Sequence, residues 1–426
     1  MQKRSFFKNG ILPIVLLMAL ASGAVFAEVE QLQSDVSGTP DEICDAATPA
    51  EEPATRDFDQ PESVLADDVD YRAIFCTDAG AVYIDLFESA TPLTVNNFVF
   101  LAENGYYNNT TFHRVIQDFM VQGGDPTASG SGGPNYRFED EFVGFLHFDR
   151  EGLLAMANAG ANTNGSQFFI TTSIPSYLNY RHTIFGEVLS GQENVLNVNL
   201  RDPQVDSEPG TALNTVVIIT NPADVEADFE IPARPTQADA EAILTALPEL
   251  APGLVVDSDV TGVFDLTDFV STFYANSSEE TTGLLEDNGF EFAASIAHQN
   301  AECALDQIPF TEIDYQVLTF DSGSSAESVM ADEGITNLVT VNGDMEALDS
   351  EALPNGYFIE STSACDTNVV HAVTYWQIGR NITIAGIYLP ESEAPNADLW
   401  LDQVVGRQIY GNSLSELLRP ELWFND

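Results

Sequence analysis

Two stretches of this chain hold the side chains best suited to chemistry: FHRVIQDFMVQGGD at residues 112–125 and LAMANAGANTNGSQFFI at residues 154–170. Each sets one or two polar side chains among aromatics, methionine and close-set glycines. Phe119, Met120 and Phe169 can line an apolar slot, with Leu178 closing it. Arg114 supplies a planar, permanently charged donor, better suited than lysine to a fixed geometry. Gln122 and Gln167 can orient that arginine and a bound chain. Ala157 and Asn158 can offer backbone groups to an extended ligand, and His182 can reach in from the rim. Phe112 and Phe168 alternate with slot residues, so a period of two turns them inward. The set needs no nucleophile, no metal and no cofactor. It suits the non-covalent stabilisation of a polar group beside a held apolar ring.

The elements that must position these groups are short and mostly extended. YRAIFC and AVYIDLF are apolar, β-prone runs separated by Thr-Asp-Ala-Gly, which is a hairpin signal. Residues 91–103 begin Thr-Pro and place Val95, Phe98, Val99 and Leu101 at near-helical spacing, with Gly105 beyond as a stop. FHRVI, FMVQG, LLAMAN, FFITT, TIFGEV and TVVIIT then repeat the strand-like pattern. Many short strands, few helices and glycine-rich joins predict a mainly β fold over residues 70–221, a closed antiparallel barrel with capping helices. An acidic, proline-rich linker follows at 222–235. Residues 236–426 read as a separate α+β domain. Its helices are expected near 239–247, 279–288 and 398–418, and its strands include a hairpin around Gly379-Arg380-Asn381.

Composition narrows the function classes. Against 14 Lys+Arg stand 67 Asp+Glu, a formal charge of −53, so nucleic acid and anionic membrane surfaces are poor partners. Lys3, Arg4 and Lys8 precede an apolar run from Ile11 to about Val25, and Val25-Phe26-Ala27 ends in a small residue. Residues 1–27 therefore read as a secretory signal peptide, which makes the mature chain extracytoplasmic, periplasmic or secreted, with no membrane attachment after cleavage. Cleavage removes both lysines, which excludes a lysine Schiff base and a P-loop lysine. Residues 28–69, acidic and rich in Ala, Pro and Thr, read as a flexible leader.

The four cysteines, Cys44, Cys76, Cys303 and Cys365, form no CxxC pair and no zinc-finger spacing. In an exported chain they suggest two disulfides, and pairing within each unit gives Cys44–Cys76 and Cys303–Cys365. His147 with Asp149, and His298 with Cys303, have the residue types of catalytic dyads but lack any triad or nucleophile-elbow context.

The two opening motifs together resemble the active face of the cyclophilins, a family of peptidyl-prolyl cis–trans isomerases. The resemblance covers about residues 70–221 and matches at Arg114, Phe119, Met120, Gln122, Ala157, Asn158, Gln167, Phe169, Leu178 and His182. It implies rotation of X–Pro bonds in proline-containing polypeptides, with no cofactor. That reaction faces a barrier near 20 kcal/mol set by amide resonance, so no bond need be cut. One position departs: Tyr177 stands where many cyclophilins have Trp, a change that in the family usually keeps isomerisation and weakens cyclosporin binding. The alternative reading is a scaffold that holds proline segments without turning them over. Clients, oligomeric state, the disulfide connectivity, whether the signal is cleaved or retained as an anchor, and the task of residues 236–426 stay open.

Overall fold

Short apolar runs from Arg72 onward build one curved antiparallel sheet, and a second sheet forms in the C-terminal half. The computed structural model describes residues 37–423 except 67–68, 231, 247–249, 251–252, 276, 306–307, 342–344, 351, 354 and 410–413. The export segment expected at residues 1–27 lies outside them. No helix among the described residues is long and apolar enough to cross a membrane.

The first sheet has nine strands: β1 (Arg72–Thr77), β2 (Gly80–Leu86), β3 (Thr110–Thr111), β4 (Arg114–Ile116), β5 (Met120–Gly123), β6 (Leu153–Met156), β7 (Phe168–Thr171), β8 (Ile184–Ser190) and β9 (Ala212–Ile219). Their order is β3-β9-β1-β2-β8-β6-β7-β5-β4. The sheet curls like a barrel but is open, which corrects the closed barrel expected from the sequence. Its two edges, β3 and β4, are consecutive in the chain but are not paired across Phe112–His113. Phe112 N instead donates to Thr211 O (3.0 Å). Val115 exchanges backbone hydrogen bonds with Arg201, Val115 N to Arg201 O at 2.8 Å and Arg201 N to Val115 O at 3.2 Å. A loop thus covers the β4 edge that a closing strand would take.

Helix α1 (Pro40–Ala47) carries a capping box of Thr39 and Glu42, and Cys44 within it is bonded to Cys76 of β1. The acidic stretch expected to be a flexible leader therefore contains an ordered helix, because Ile43 and Cys44 give it a buried face. Helix α2 (Pro92–Glu103) buries Phe98 and Val99 completely. Its first backbone N–H groups, of Leu93 and Thr94, donate to the Glu141 carboxylate at 3.0 and 2.6 Å. A carboxylate at a helix N-terminus satisfies donors that have no partner within the helix, and here it also ties down the loop after residue 139. Inside the curl, Phe75, Phe98, Tyr107, Phe112 and Phe168 form the core, as the period-two reading of Phe112 and Phe168 required.

The C-terminal sheet contains β10 (Leu254–Val256), β11 (Gly262–Phe264), β12 (Phe290–Asn300), β13 (Glu312–Phe320), β14 (Glu346–Leu348), β15 (Tyr357–Ala364), β16 (Thr367–Ile378) and β17 (Asn381–Pro390). The expected hairpin is β16–β17, with Ile378 opposite Asn381. One face carries Phe320, Ile382 and Ile384 against helices that include Phe269 and Leu338. The other face, with Ile296, Tyr315 and Ile387, joins a hydrophobic cluster containing Met120, Phe145, Phe148 and Phe169 of the first sheet. The C-terminal sheet forms a second unit, as the sequence suggested, and it packs against the first through this shared cluster. Cys303 and Cys365 are bonded, linking the loop after β12 to the β15–β16 turn. The expected C-terminal helix is a π-helix over Trp400–Ile409 and a short α-helix at Ser415–Leu418.

Two polar clasps join the sheets. Arg419 is buried and donates to Asp149 (2.9 Å) and Glu187 (3.0 Å). The Tyr180 hydroxyl lies 2.9 Å from Gly144 O, 2.8 Å from Arg407 O and 2.6 Å from His147 Nε2. Both carbonyls can only accept, so His147 donates its Nε2–H to the hydroxyl oxygen. Tyr180 has φ +56°, a left-handed conformation unfavourable for a large side chain, and these contacts hold it there. The His147/Asp149 pair is thus part of the domain interface, and Cys303 of the other candidate dyad is in a disulfide.

Candidate active site

Strand register brings the two sequence motifs onto one face. Phe169 of β7 lies opposite Gln122 of β5, which lies opposite Arg114 of β4. One step along, Thr171 faces Met120, and Met120 faces Ile116. Cross-strand neighbours in register share a face, so the arginine, the glutamine and the apolar slot residues are neighbours by construction. The close pairing depends on Gly124, whose φ is +81° and where any Cβ would sit 2.3 Å from Ser166 O.

A chain of hydrogen bonds crosses this face. Arg114 Nη1 donates to Gln122 Oε1 at 3.4 Å. Gln122 Nε2 donates to Gln167 Oε1 at 2.9 Å, and Gln167 Nε2 donates to Gly132 O at 2.9 Å. The last acceptor is fixed by Asp125, which is fully buried. Its carboxylate accepts from the backbone N–H groups of Thr127 (2.7 Å), Ser129 (3.1 Å), Gly130 (2.6 Å) and Gly132 (3.1 Å). Burial pushes the Asp125 pKa up, but the Thr127, Gly132 and Gly130 donors outweigh it and hold the carboxyl below its ordinary range. Sequence reasoning passed over Asp125. The signal was there in GGDPTASGSGG, an acid followed by small residues whose N–H groups can turn back on it.

Beside this chain, Met120 and Phe169 are only 2% and 4% exposed, and Phe148 stacks behind Phe169 at 5.8 Å. Phe119 is half-buried and lies 6.1 Å from the Tyr177 ring, which is 64% exposed. The slot therefore has a firm floor and an open lip. His182 meets Phe169 edge-on at 5.4 Å, and its Nδ1 donates to Met156 O at 2.9 Å. That bond fixes the tautomer and leaves Nε2 as an acceptor, while burial lowers the ring's pKa. Leu178 sits on the short 3₁₀ turn Ser176–Leu178, half-buried at the slot's end.

Ala157 and Asn158 follow β6 directly. Ala157 N donates to Gln167 O at 2.9 Å, and Asn158 Nδ2 donates to Arg181 O at 2.8 Å. The Asn158 side chain thus braces the turn that carries His182. All eleven residues singled out from the sequence lie on or around this one face. The arrangement can seat a small apolar ring and present a guanidinium beside it. It offers no nucleophile.

The family model described as "Cyclophilin type peptidyl-prolyl cis-trans isomerase/CLD" matches residues 73–220. A protein of Mycobacterium bovis named probable peptidyl-prolyl cis-trans isomerase A is 51% identical over 131 residues, covering 27% of this chain and 72% of that one. The mouse peptidyl-prolyl cis-trans isomerase-like 1 is 46% identical over 136 residues, covering 31% of this chain and 82% of that one. Peptidyl-prolyl cis-trans isomerase 4 of Caenorhabditis elegans is 42% identical over 172 residues, 39% of this chain, and this chain spans only 32% of its length. Register, slot and sequence relatives agree, and the chain belongs to the cyclophilin-type peptidyl-prolyl cis–trans isomerase family.

Proposed function

We propose that the face around Arg114 catalyses cis–trans isomerisation of X–Pro bonds in exported polypeptides. The proline ring enters the slot of Phe119, Met120, Phe169 and Leu178. Arg114 donates toward the proline nitrogen as it becomes pyramidal in the twisted amide, when its lone pair first becomes available. Gln122 holds the guanidinium. The Ala157–Asn158 backbone and Gln167 anchor the flanking chain, with His182 and Tyr177 at the rim. An interaction available only to the twisted state lowers the barrier without tightening the planar substrate. Two disulfides and the apolar N-terminal segment support an oxidising, extracytoplasmic setting.

The observation that carries this reading is the hydrogen-bonded row Arg114–Gln122–Gln167, which holds a cation on the same face as Met120 and Phe169. Exchange spectroscopy of a short Ala-Pro peptide tests it in the full chain. Arg114→Ala should lower the catalysed exchange rate on the order of a hundredfold, the loss typical of one transition-state donor. Wild type and variant exchanging the peptide equally fast would remove the mechanism. Binding of the peptide with no acceleration by wild type would instead leave the passive scaffold.

A further inference from the structure

Among the described residues nine large hydrophobic side chains are exposed, and three of them border this one face. Tyr177 (64%) stands on one flank of the slot, against Phe119. Ile116 (38%) and Leu200 (61%) stand on the other, beside Arg114. Isolated exposed apolar residues are ordinary on a protein surface, but their concentration in one place marks an interaction site. On a chain with a formal charge of −53 the concentration is the more telling.

The second flank is built by the same open edge that distinguishes this sheet from a closed barrel. Ile116 lies directly opposite Met120, so it continues the slot's row of side chains onto β4. Past β4 the Val115–Arg201 bridge places Leu200 and Arg201 where a further strand would run. A depression of about 300 Å³ results, lined by Arg114, Ile116, Leu200, Arg201, Asp202 and Asp206. Arg201 is committed to the framework, donating through Nη1 to His113 O at 2.5 Å and through Nε to Glu208 O at 3.0 Å. The loop is likewise set by its own bonds, Asp202 N to Asp206 Oδ2 at 2.8 Å and Gln204 N to Asp202 Oδ1 at 2.9 Å. Two arginines and two aspartates balance, so the depression has no preference for a charge. What it offers a ligand is the aliphatic surface of Ile116 and Leu200.

We propose that this depression is a subsite for a bulky aliphatic or aromatic residue of the client chain, flanking the isomerised proline on the β4 side. The proposal rests on the isomerase reading above and extends it to the choice of client: extended, non-native segments with an apolar residue close to proline. Folded surfaces rarely offer such segments, and freshly exported chains do.

The test uses the full chain and a set of Ala-Pro peptides, each carrying leucine at one flanking position in an otherwise Ala/Ser background. Affinity is read by calorimetry and turnover by exchange spectroscopy on the same samples. One position should bind about five- to tenfold tighter with leucine than with serine, as expected for covering part of an aliphatic side chain. Leu200→Ser and Ile116→Ser should each weaken that preference, and Leu200→Met should keep it. A leucine preference unchanged in both serine variants, or absent at every position, overturns the subsite. Turnover without a leucine preference removes the subsite alone, whereas leucine-dependent binding without turnover removes the isomerase reading and leaves the subsite standing. A mass that doubles in wild type and not in Leu200→Ser would assign the strip to a second copy of the chain and overturn the proposal.

Discussion

The active face and the interface between the two sheets treat arginine in opposite ways. At the interface Arg419 is 3% exposed and held by two carboxylates, Asp149 and Glu187. Nearby in the C-terminal unit Arg380 is 6% exposed and paired with Glu291 at 2.7 Å and Glu421 at 3.1 Å. Arg114 has no carboxylate partner among the described residues. It makes a long hydrogen bond to the neutral Gln122. In a chain with 67 acidic residues and only 14 basic ones, an arginine held by a neutral glutamine rather than by a carboxylate sets this face apart. Burial demands pairing for a structural guanidinium. A guanidinium meant for a ligand must be oriented yet unpaired, and a glutamine does that where an aspartate would not.

The comparison is broken most directly by removing one arginine from each region. Arg419→Ala strands Glu187 and part of Asp149. Loss of one partner from a buried pair typically costs about 3–5 kcal/mol. The low end, about 3 kcal/mol, is expected because Arg150 also reaches both acids. Urea unfolding of the full chain should show that loss, together with separate transitions for the two sheets. An unchanged midpoint would mean the clasp does not couple them. Arg114→Ala should do the reverse, with a midpoint close to wild type and peptide exchange slowed on the order of a hundredfold, about 2.7 kcal/mol of barrier.

Acid separates the same regions by sign. Burial pushes the His147 pKa from 6.5 down to about 4. The folded state then binds a proton less readily than the unfolded chain, so this stability is complete above pH 6.5 and is lost as pH falls towards 4. In the C-terminal sheet, burial and the neighbouring Glu312 push the Asp314 pKa from 3.8 up to about 7. That group works the other way: stability is gained as pH falls through 7 and is complete below 3.8. His147→Gln should therefore flatten the acid loss measured by urea midpoints across pH 4 to 6.5, and Asp314→Asn should raise the midpoint above pH 7 and leave it unchanged in acid. Parallel curves for each variant and wild type would show that neither group titrates with folding.

Much of the first sheet and its face was legible because local patterns and long-range register agree there. Met120, Gln122 and Phe169 sit at period-two positions of runs that pair with each other, and Gln167 lies two residues before Phe169. The open edge was not legible. It depends on Arg201, more than 80 residues away from Val115, taking a strand's place through backbone bonds to which its side-chain type gives no clue. Asp125 was hidden for a related reason, since its partners are backbone N–H groups and any small residues would supply them. The shared core was missed because Phe145 and Phe148 follow no period, and Arg419 reads in the sequence as an ordinary surface charge near a helix end. The helix Pro40–Ala47 escaped because its acidic, alanine-rich composition masks a two-residue buried face at Ile43 and Cys44. Composition and periodicity report on elements. They do not report on which elements meet.

The smallest expected effect lies at the lip of the slot. Tyr177 is 64% exposed and faces Phe119 at 6.1 Å, so its ring is available to a ligand while contributing little to the core. Trp at this position adds ring area and an indole N–H donor. Where such a residue meets cyclosporin, the gain is roughly one hydrogen bond or contact, about 1 kcal/mol. Tyr177→Trp should therefore tighten cyclosporin binding about fivefold by calorimetry, and urea midpoints should not move because the side chain is outside the core. If the lip serves only ligands, the substitution changes affinity and leaves stability alone. A shift in the unfolding midpoint with no change in cyclosporin affinity would place Tyr177 with the framework that Arg419 and Tyr180 hold together, rather than with the open face around Arg114.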